Sequence, residues 1–183
     1  GTTDVTRTLS LDVQNHKIKE IFTRVLKGHI AVASFKLNKN SYGDRIDQSA
    51  RKFLKDVNLD YPHGTGHGVG YFSNVHEGPQ AISRGNRVKF KEGMITSNEP
   101  GYYKKNQFGI RIENLLYVKK IRNKLKFENL TLVPIDKTLI EKKLLTSFEK
   151  DWLNEYHQKV FNFLKGFMNR FELLQLKQAC SNI

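Results

Sequence analysis

A 183-residue chain with 38% hydrophobic and 27% charged residues has the balance of a folded globular protein rather than a disordered segment, and no run approaches the ~18 apolar residues of a membrane span. The formal charge of +13 raises the question of a polyanionic partner, but Lys and Arg are scattered from Arg7 to Lys177 in pairs such as Lys104-Lys105 and Lys142-Lys143, with no basic helix interleaved with aromatics; a solvated basic surface and no specific nucleic-acid partner are expected. The single cysteine, Cys180, excludes an intramolecular disulfide, and the N-terminus lacks a basic-then-apolar leader pattern, so the expected location is cytoplasmic, with no membrane partner.

Along Asp4 to Leu11, Val5, Arg7, Leu9 and Leu11 alternate with Asp4, Thr6, Thr8 and Ser10, which predicts a strand. Asn15 is a candidate N-cap, and Ile18, Ile21, Phe22, Val25, Leu26 and Ile30 recur behind it at helical spacing, predicting a long amphipathic helix. After a polar break at Asn38 to Tyr42, a second helix is predicted from about Asp44, with Ile46, Ala50, Phe53 and Leu54 inward. Residues 61–118 hold glycine-rich turns, short apolar runs and three of the six histidines, the texture of loops and strands that carry chemistry. Lys124 to Ile135 reads as a strand region. Thr146 with Glu149 makes a capping box before a helix bearing Trp152, Tyr156, Val160 and Phe163, and this helical tail is predicted to run to about Gln178. The simplest architecture is one compact α+β unit with a helical C-terminal extension.

The strongest local signal is His63-Gly-Thr-Gly-His67-Gly-Val-Gly70. Histidines at i and i+4 suit a zinc-binding helix, but each interior glycine disfavours helix by about 0.8–1 kcal/mol relative to Ala, so the run reads as irregular chain that aims its imidazoles while the backbone passes close to a ligand. Alone, the segment reads equally as a turn with two satisfied histidines. Glu99, held extended by Pro100, is a strand-end carboxylate or a plain turn residue. Arg111 and Glu113 share one side of a strand whose other side carries Ile110 and Ile112, an arrangement that a surface ion pair also explains. Together, Asp4, His67, Glu99 and Glu113 make an oxygen-rich ligand set with one imidazole, suited to Mn²⁺, Co²⁺ or Fe²⁺ rather than a thiolate-bound structural metal.

The run Gly1 to Thr8, His63 to Gly70, Val75 to Pro79, Asn98 to Tyr103 and Gly109 to Asn114 resemble, in order and spacing, the active-site motifs of Xaa-Pro aminopeptidases of the dinuclear-metal, pita-bread (creatinase/aminopeptidase-type) family. Leu130 to Ile135 and Trp152 to Tyr156 resemble the tail of its long, three-domain branch. The resemblance implies a partial pita-bread catalytic domain over 1–120 and a C-terminal extension over 121–183. It implies two divalent ions, most simply Mn²⁺, on Asp4, His67, Glu99 and Glu113, with Glu99 also accepting the proton of the attacking water. His63 and His76 would contact the substrate and stabilise the tetrahedral intermediate, and Arg111 would orient neighbouring carboxylates. The substrate would be a peptide with proline in second position.

The family's ligand set has one more member, an Asp upstream of the position matched by Asp4. That position precedes Gly1, and Asp12 is too far downstream to replace it. The expectation is therefore an excised fragment, an engineered boundary or the product of a split gene, inert by itself, with the N-terminal half of the catalytic domain or a second copy as partner. A prolidase-like dipeptidase is the neighbouring alternative. A non-catalytic pita-bread module that binds proteins is the other, although His67, Glu99 and Glu113 are all retained.

Overall fold

The computed structural model describes residues 3–38, 41–72 and 74–183; Gly1 and Thr2 of the first motif, and Lys39 and Asn40 of the polar break, lie outside the described residues. The elements follow in the order α1 (His16–Ala33), β1 (Lys36–Leu37), α2 (Gly43–Lys55), β2 (Gly66–His67), β3 (Ala81–Ile82), β4 (Ile95–Asn98), β5 (Gly101–Lys104), β6 (Phe108–Arg111), β7 (Asn114–Ile121), β8 (Lys124–Asn129), α3 (Ser147–Leu164) and α4 (Arg170–Ala179). The fold is thus α+β, as expected.

The chain forms two compact units instead of the single unit expected, Gly1–Arg7 with Arg24–Thr131 and Thr8–Thr23 with Leu132–Ile183. Residues after Arg7 belong with the tail because polar groups tie them there. Asp136 Oδ2 accepts from Ser10 N at 3.1 Å, and Thr23 Oγ1 accepts from Glu141 N at 2.8 Å. The predicted strand over Asp4–Leu11 is correspondingly absent: only Thr6 pairs, in an isolated bridge to Glu113, and Leu9 and Leu11 stay exposed, so no apolar face rewards a ladder.

In the first unit, an antiparallel sheet of order β1-β8-β7-β4 carries β4 in register with β7 from Ile95↔Tyr117 to Asn98↔Asn114. The pairs β2–β3 and β5–β6 form two further small antiparallel ladders. Ile46, Ala50 and Leu54 of α2 are buried at the spacing anticipated, and Ile110, Ile112, Leu116 and Val118 are buried from the strands. The strand region predicted over Lys124–Ile135 stops at Asn129: Leu130 N still reaches the Leu115 carbonyl at 2.9 Å, but the return donor, Leu115 N, goes to Thr131 Oγ1 at 2.8 Å, and the ladder ends there. In the second unit, the Thr146–Glu149 capping box starts α3 as predicted. The tail does not continue as one helix: a short turn at Lys165–Phe167 intervenes, and a second capping box, Asn169 with Glu172, restarts the chain as α4.

His29 of α1 is fully buried and fixes both segments that lead to the site glutamates. Its Nδ1 donates to the Ile112 carbonyl at 3.2 Å, and its own carbonyl accepts from Asn98 Nδ2 at 3.0 Å. Burial, and then the charge of Arg7, push the imidazole down to about 3. Below its unfolded value of 6.5 the unfolded chain takes up a proton that folded His29 refuses until about 3, so this group removes stability as pH falls through that window. His29→Asn keeps a donor for Ile112 and should flatten the acid dependence, by up to about 1.4 kcal/mol per pH unit relative to the parent between pH 6 and 5. Parallel thermal scans of the two proteins check this; identical slopes would contradict it.

Candidate metal centre

The two-residue strand β2 presents His67 between close backbone neighbours. A Cβ on Gly66 would lie 2.0 Å from the Ser97 carbonyl oxygen, and one on Gly68 would lie 2.0 Å from that of Glu77. At Gly66 and Gly68 the missing side chain thus lets backbone pack directly on backbone. Ser97 Oγ accepts from His67 N at 2.9 Å and donates to Glu99 Oε1 at 2.9 Å, so one hydroxyl sets the register between the imidazole strand and the carboxylate at the end of β4. Glu99 N in turn donates to the Thr65 carbonyl at 2.7 Å.

Asp4 Oδ2 lies 3.2 Å and Glu99 Oε1 3.3 Å from His67 Nε2. His67 Nδ1 donates to the Gly68 carbonyl at 3.0 Å, so Nε2 is the ring nitrogen that faces the two carboxylate oxygens. Ligand atoms of His67, Glu99 and Glu113 fall within 4.8 Å of one another, as do those of Asp4, His67 and His76. Glu113 reaches the cluster because its backbone pairs with Thr6, whose hydroxyl donates to Glu113 Oε2. Glu99 and Glu113 are 8% and 2% exposed, a depth at which carboxylates require compensation.

Burial, together with neighbouring Glu99 and Asp4, pushes the Glu113 carboxyl up to about 7, against the opposing Thr6 hydroxyl and Arg111 charge. Such a convergence of acceptors fits a divalent cation: Asp4, His67, Glu99 and Glu113 could hold one or more, and His76 stands within the same reach. The His67 and His76 rings meet edge to face at 4.1 Å. Arg111 Nη1 lies 3.6 Å from Glu99 Oε2, although Arg111 and Glu113 do not share one strand as anticipated: β6 ends at Arg111, and β7 begins after Glu113.

His63 joins the cluster through a residue that the sequence did not single out. Its Nδ1 donates to the Gly64 carbonyl at 2.7 Å, leaving Nε2 to accept from Tyr103 OH at 2.9 Å, and that hydroxyl accepts from Arg111 Nε at 2.7 Å. The register of β5 and β6, Gly101↔Arg111 and Tyr103↔Gly109, explains why. Residues two apart share a face, so Tyr103 and Arg111 lie on the same side of the hairpin. Thr6 and Ser97 were missed for the same reason: their roles depend on partners 107 and 30 residues away.

Among the described residues, no helix is long and apolar enough to cross a membrane. The model of metallopeptidase family M24 matches residues 1–120, and that of the C-terminal region of peptidase M24 matches residues 123–183. "Probable Xaa-Pro aminopeptidase P" of Fusarium vanettenii is 48% identical over 91% of this chain and 29% of its own length. Aminopeptidase P2 of Arabidopsis thaliana is 48% identical over 88% of this chain and 24% of its own. The X-prolyl aminopeptidase of Caenorhabditis elegans, a cytosolic enzyme with a di-nuclear active site, superposes on all of the chain with a TM-score of 0.92 and 40% identity, over 32% of its own length. Prolidase from Pyrococcus furiosus matches 72% of the chain with a TM-score of 0.64 and 29% identity, over 37% of its own length. The chain thus spans less than a third of the length of the Xaa-Pro aminopeptidase relatives. With the M24 model and that of its C-terminal region matched in sequence order, and with the pita-bread fold of these neighbours, the chain belongs to the metallopeptidase family M24.

Proposed function

We propose that the chain is the C-terminal part of an aminopeptidase that hydrolyses the N-terminal Xaa-Pro bond of peptides, with residues 1–120 in the catalytic domain and 121–183 as its C-terminal extension. The observation that carries this is the acceptor cluster of Asp4, His67, Glu99 and Glu113, set in a chain 48% identical to Xaa-Pro aminopeptidase relatives. In this reading these four residues hold a pair of divalent ions, most simply Mn²⁺, with Co²⁺ or Fe²⁺ as alternatives. When bound, such ions polarise a carbonyl and lower the pKa of water. The C. elegans neighbour is cytosolic, and a cytoplasmic location is proposed here too.

The chain's own groups divide the remaining work. Glu99 accepts the water proton: Ser97 holds its Oε1, and Oε2, facing Arg111, is the oxygen left to take it. Arg111 orients Glu99 and, through Tyr103, the ring of His63. His63 and His76 contact the substrate and stabilise the charge that develops on the attacked carbonyl. For His63 this requires Nε2 to leave Tyr103 and to face the substrate carbonyl as a donor, the reverse of its accepting role toward Tyr103. His63→Ala should therefore lower turnover at least about 100-fold while bound metal is retained. Tyr103→Phe should lower turnover less, again with metal retained. Kinetics paired with metal analysis check both, and loss of metal in His63→Ala would contradict the assignment.

The family resemblance adds an upstream Asp to the ligand set, so a polypeptide of residues 1–183 alone supplies an incomplete site. Its proposed partner is the N-terminal half of the catalytic domain; a second copy is the other arm of the test. The assay is Mn²⁺-dependent release of the first residue from an Xaa-Pro peptide, by this polypeptide with and without the upstream half. Turnover only in the mixture supports the reading. Robust turnover by the polypeptide alone overturns the incomplete site, and cleavage confined to dipeptides makes the protein a prolidase. An inert mixture with metal bound favours the non-catalytic module.

A further inference from the structure

We propose that the outer end of the main sheet is a docking surface for an extended acidic segment of a partner polypeptide, one that carries apolar side chains between its carboxylates. The observation is a row of like charges. Lys36 of β1 stands directly opposite Lys126 of β8, and Lys126 stands opposite Lys119 of β7, so three exposed lysines lie abreast on one face of three hydrogen-bonded strands. Lys124, two residues along β8, adds a fourth exposed cation to that face.

Like charges directly opposite across a ladder are destabilising, and here two consecutive cross-strand pairs are both Lys–Lys. Glu128 offsets them only in part, shared between Lys119 Nζ and Lys126 Nζ at 3.8 Å each. Carboxylates delivered from outside would neutralise the row. This gathering is a product of strand register: Lys36 and Lys126 are 90 residues apart in sequence, which is why the basic residues looked merely scattered.

The apolar requirement comes from a cavity of about 580 Å³ at the same sheet end, lined by Phe35, Leu37, Leu125 and Phe127 as well as by Lys36 and Lys126. Leu37 and Phe127 are already buried, so the apolar lining left for an incoming segment is half-buried Phe35 and Leu125; a phosphodiester backbone would meet the lysines but leave that lining unused. A peptide that alternates acidic and apolar residues meets both. β1 is the terminal strand of its sheet, so such a segment can lie along it in extended form, every second side chain over the lysine row.

The test is fluorescence anisotropy of the intact protein with a short labelled peptide in which glutamate alternates with leucine and valine. Saturable binding that weakens with salt is expected. Lys36→Glu/Lys119→Glu/Lys126→Glu should weaken it at least about tenfold, whereas Lys142→Glu/Lys143→Glu/Lys177→Glu, an equal charge change on exposed residues elsewhere, should leave it nearly unchanged. With the unaltered protein, replacing the peptide's glutamates by glutamine should abolish binding, and replacing its leucines and valines by serine should weaken it. Equal loss in both triple variants would reduce the effect to net charge and overturn the proposal. Undiminished binding of the serine peptide would overturn the apolar part of the proposed recognition, and tighter binding of a homopolymeric RNA lost in the same lysine variant would overturn the acidic polypeptide as occupant.

Discussion

Arg51→Met is expected to destabilise the protein by about 3–5 kcal/mol, the range for breaking a buried ion pair from one side. Arg51 and Asp47 side chains are 8% and 2% exposed, with Arg51 Nε donating to Asp47 Oδ2 at 2.8 Å. The same guanidinium donates to Asp60 Oδ1 at 2.6 Å, to the Tyr61 carbonyl at 2.8 Å and to the His63 carbonyl, and it lies 4.0 Å from the Tyr61 ring centre. Thr65 Oγ1 donates to Asp47 Oδ1 at 2.6 Å and accepts from Tyr61 OH, while the Thr65 carbonyl receives Glu99 N. Methionine fills much of the volume but leaves a buried carboxylate and two carbonyls without their donor. The network also sets the backbone of His63 and the approach to Glu99, so the loss should be accompanied by weaker metal binding. Urea denaturation measures the effect; Arg51→Met with Asp47→Asn should cost less than the two singles summed. A loss within about 0.5 kcal/mol, typical of a surface site, would contradict the network's role.

Glu99→Gln should lower Xaa-Pro turnover by about 10²–10⁴-fold in protein that carries the complete ligand set, because the amide can neither take the proton nor offer an ionised oxygen to a cation. Gln keeps the size of the side chain and can still accept from Ser97 Oγ, so the fold and the β4 register should persist. Steady-state kinetics with metal analysis separates the two roles. A fall in turnover with metal partly retained marks proton transfer, and total loss of metal marks ligation as the dominant contribution. Activity within a few-fold of the parent would remove Glu99 from the mechanism.

The helices were legible because their signals are local: Asn15 before α1, the apolar face of α2 and the Thr146–Glu149 box all act within a turn or two. The Asp4–Leu11 segment misled because alternation describes a strand only when a partner and a buried face exist, and here Arg7 spends its guanidinium on the Glu113 carbonyl and Asn114 Oδ1 instead. The break before α4 was hidden by apolar residues continuing through it, among them Phe163, Phe167 and Phe171, all of them exposed. For the site, the chemistry of Asp4, His67, Glu99 and Glu113 was readable as residue types, and the fold brings them together in two groups that share His67. What sequence could not show was the set of polar residues that aim them. Thr6, Ser97, Tyr103 and the Arg51 network become visible only once strand registers and tertiary neighbours are fixed.

Manganese titration of the 183-residue protein, followed by calorimetry and by the shift in thermal midpoint, tests the central claim that these side chains form a divalent-metal site. A ligand that binds only the folded state raises the midpoint by mass action. The parent protein should bind Mn²⁺ saturably and be stabilised by it, His67→Ala and Glu113→Gln should lose both effects, and His63→Ala should keep them. Absence of binding, or an equal stabilisation in the His67 and Glu113 variants, would contradict the assignment.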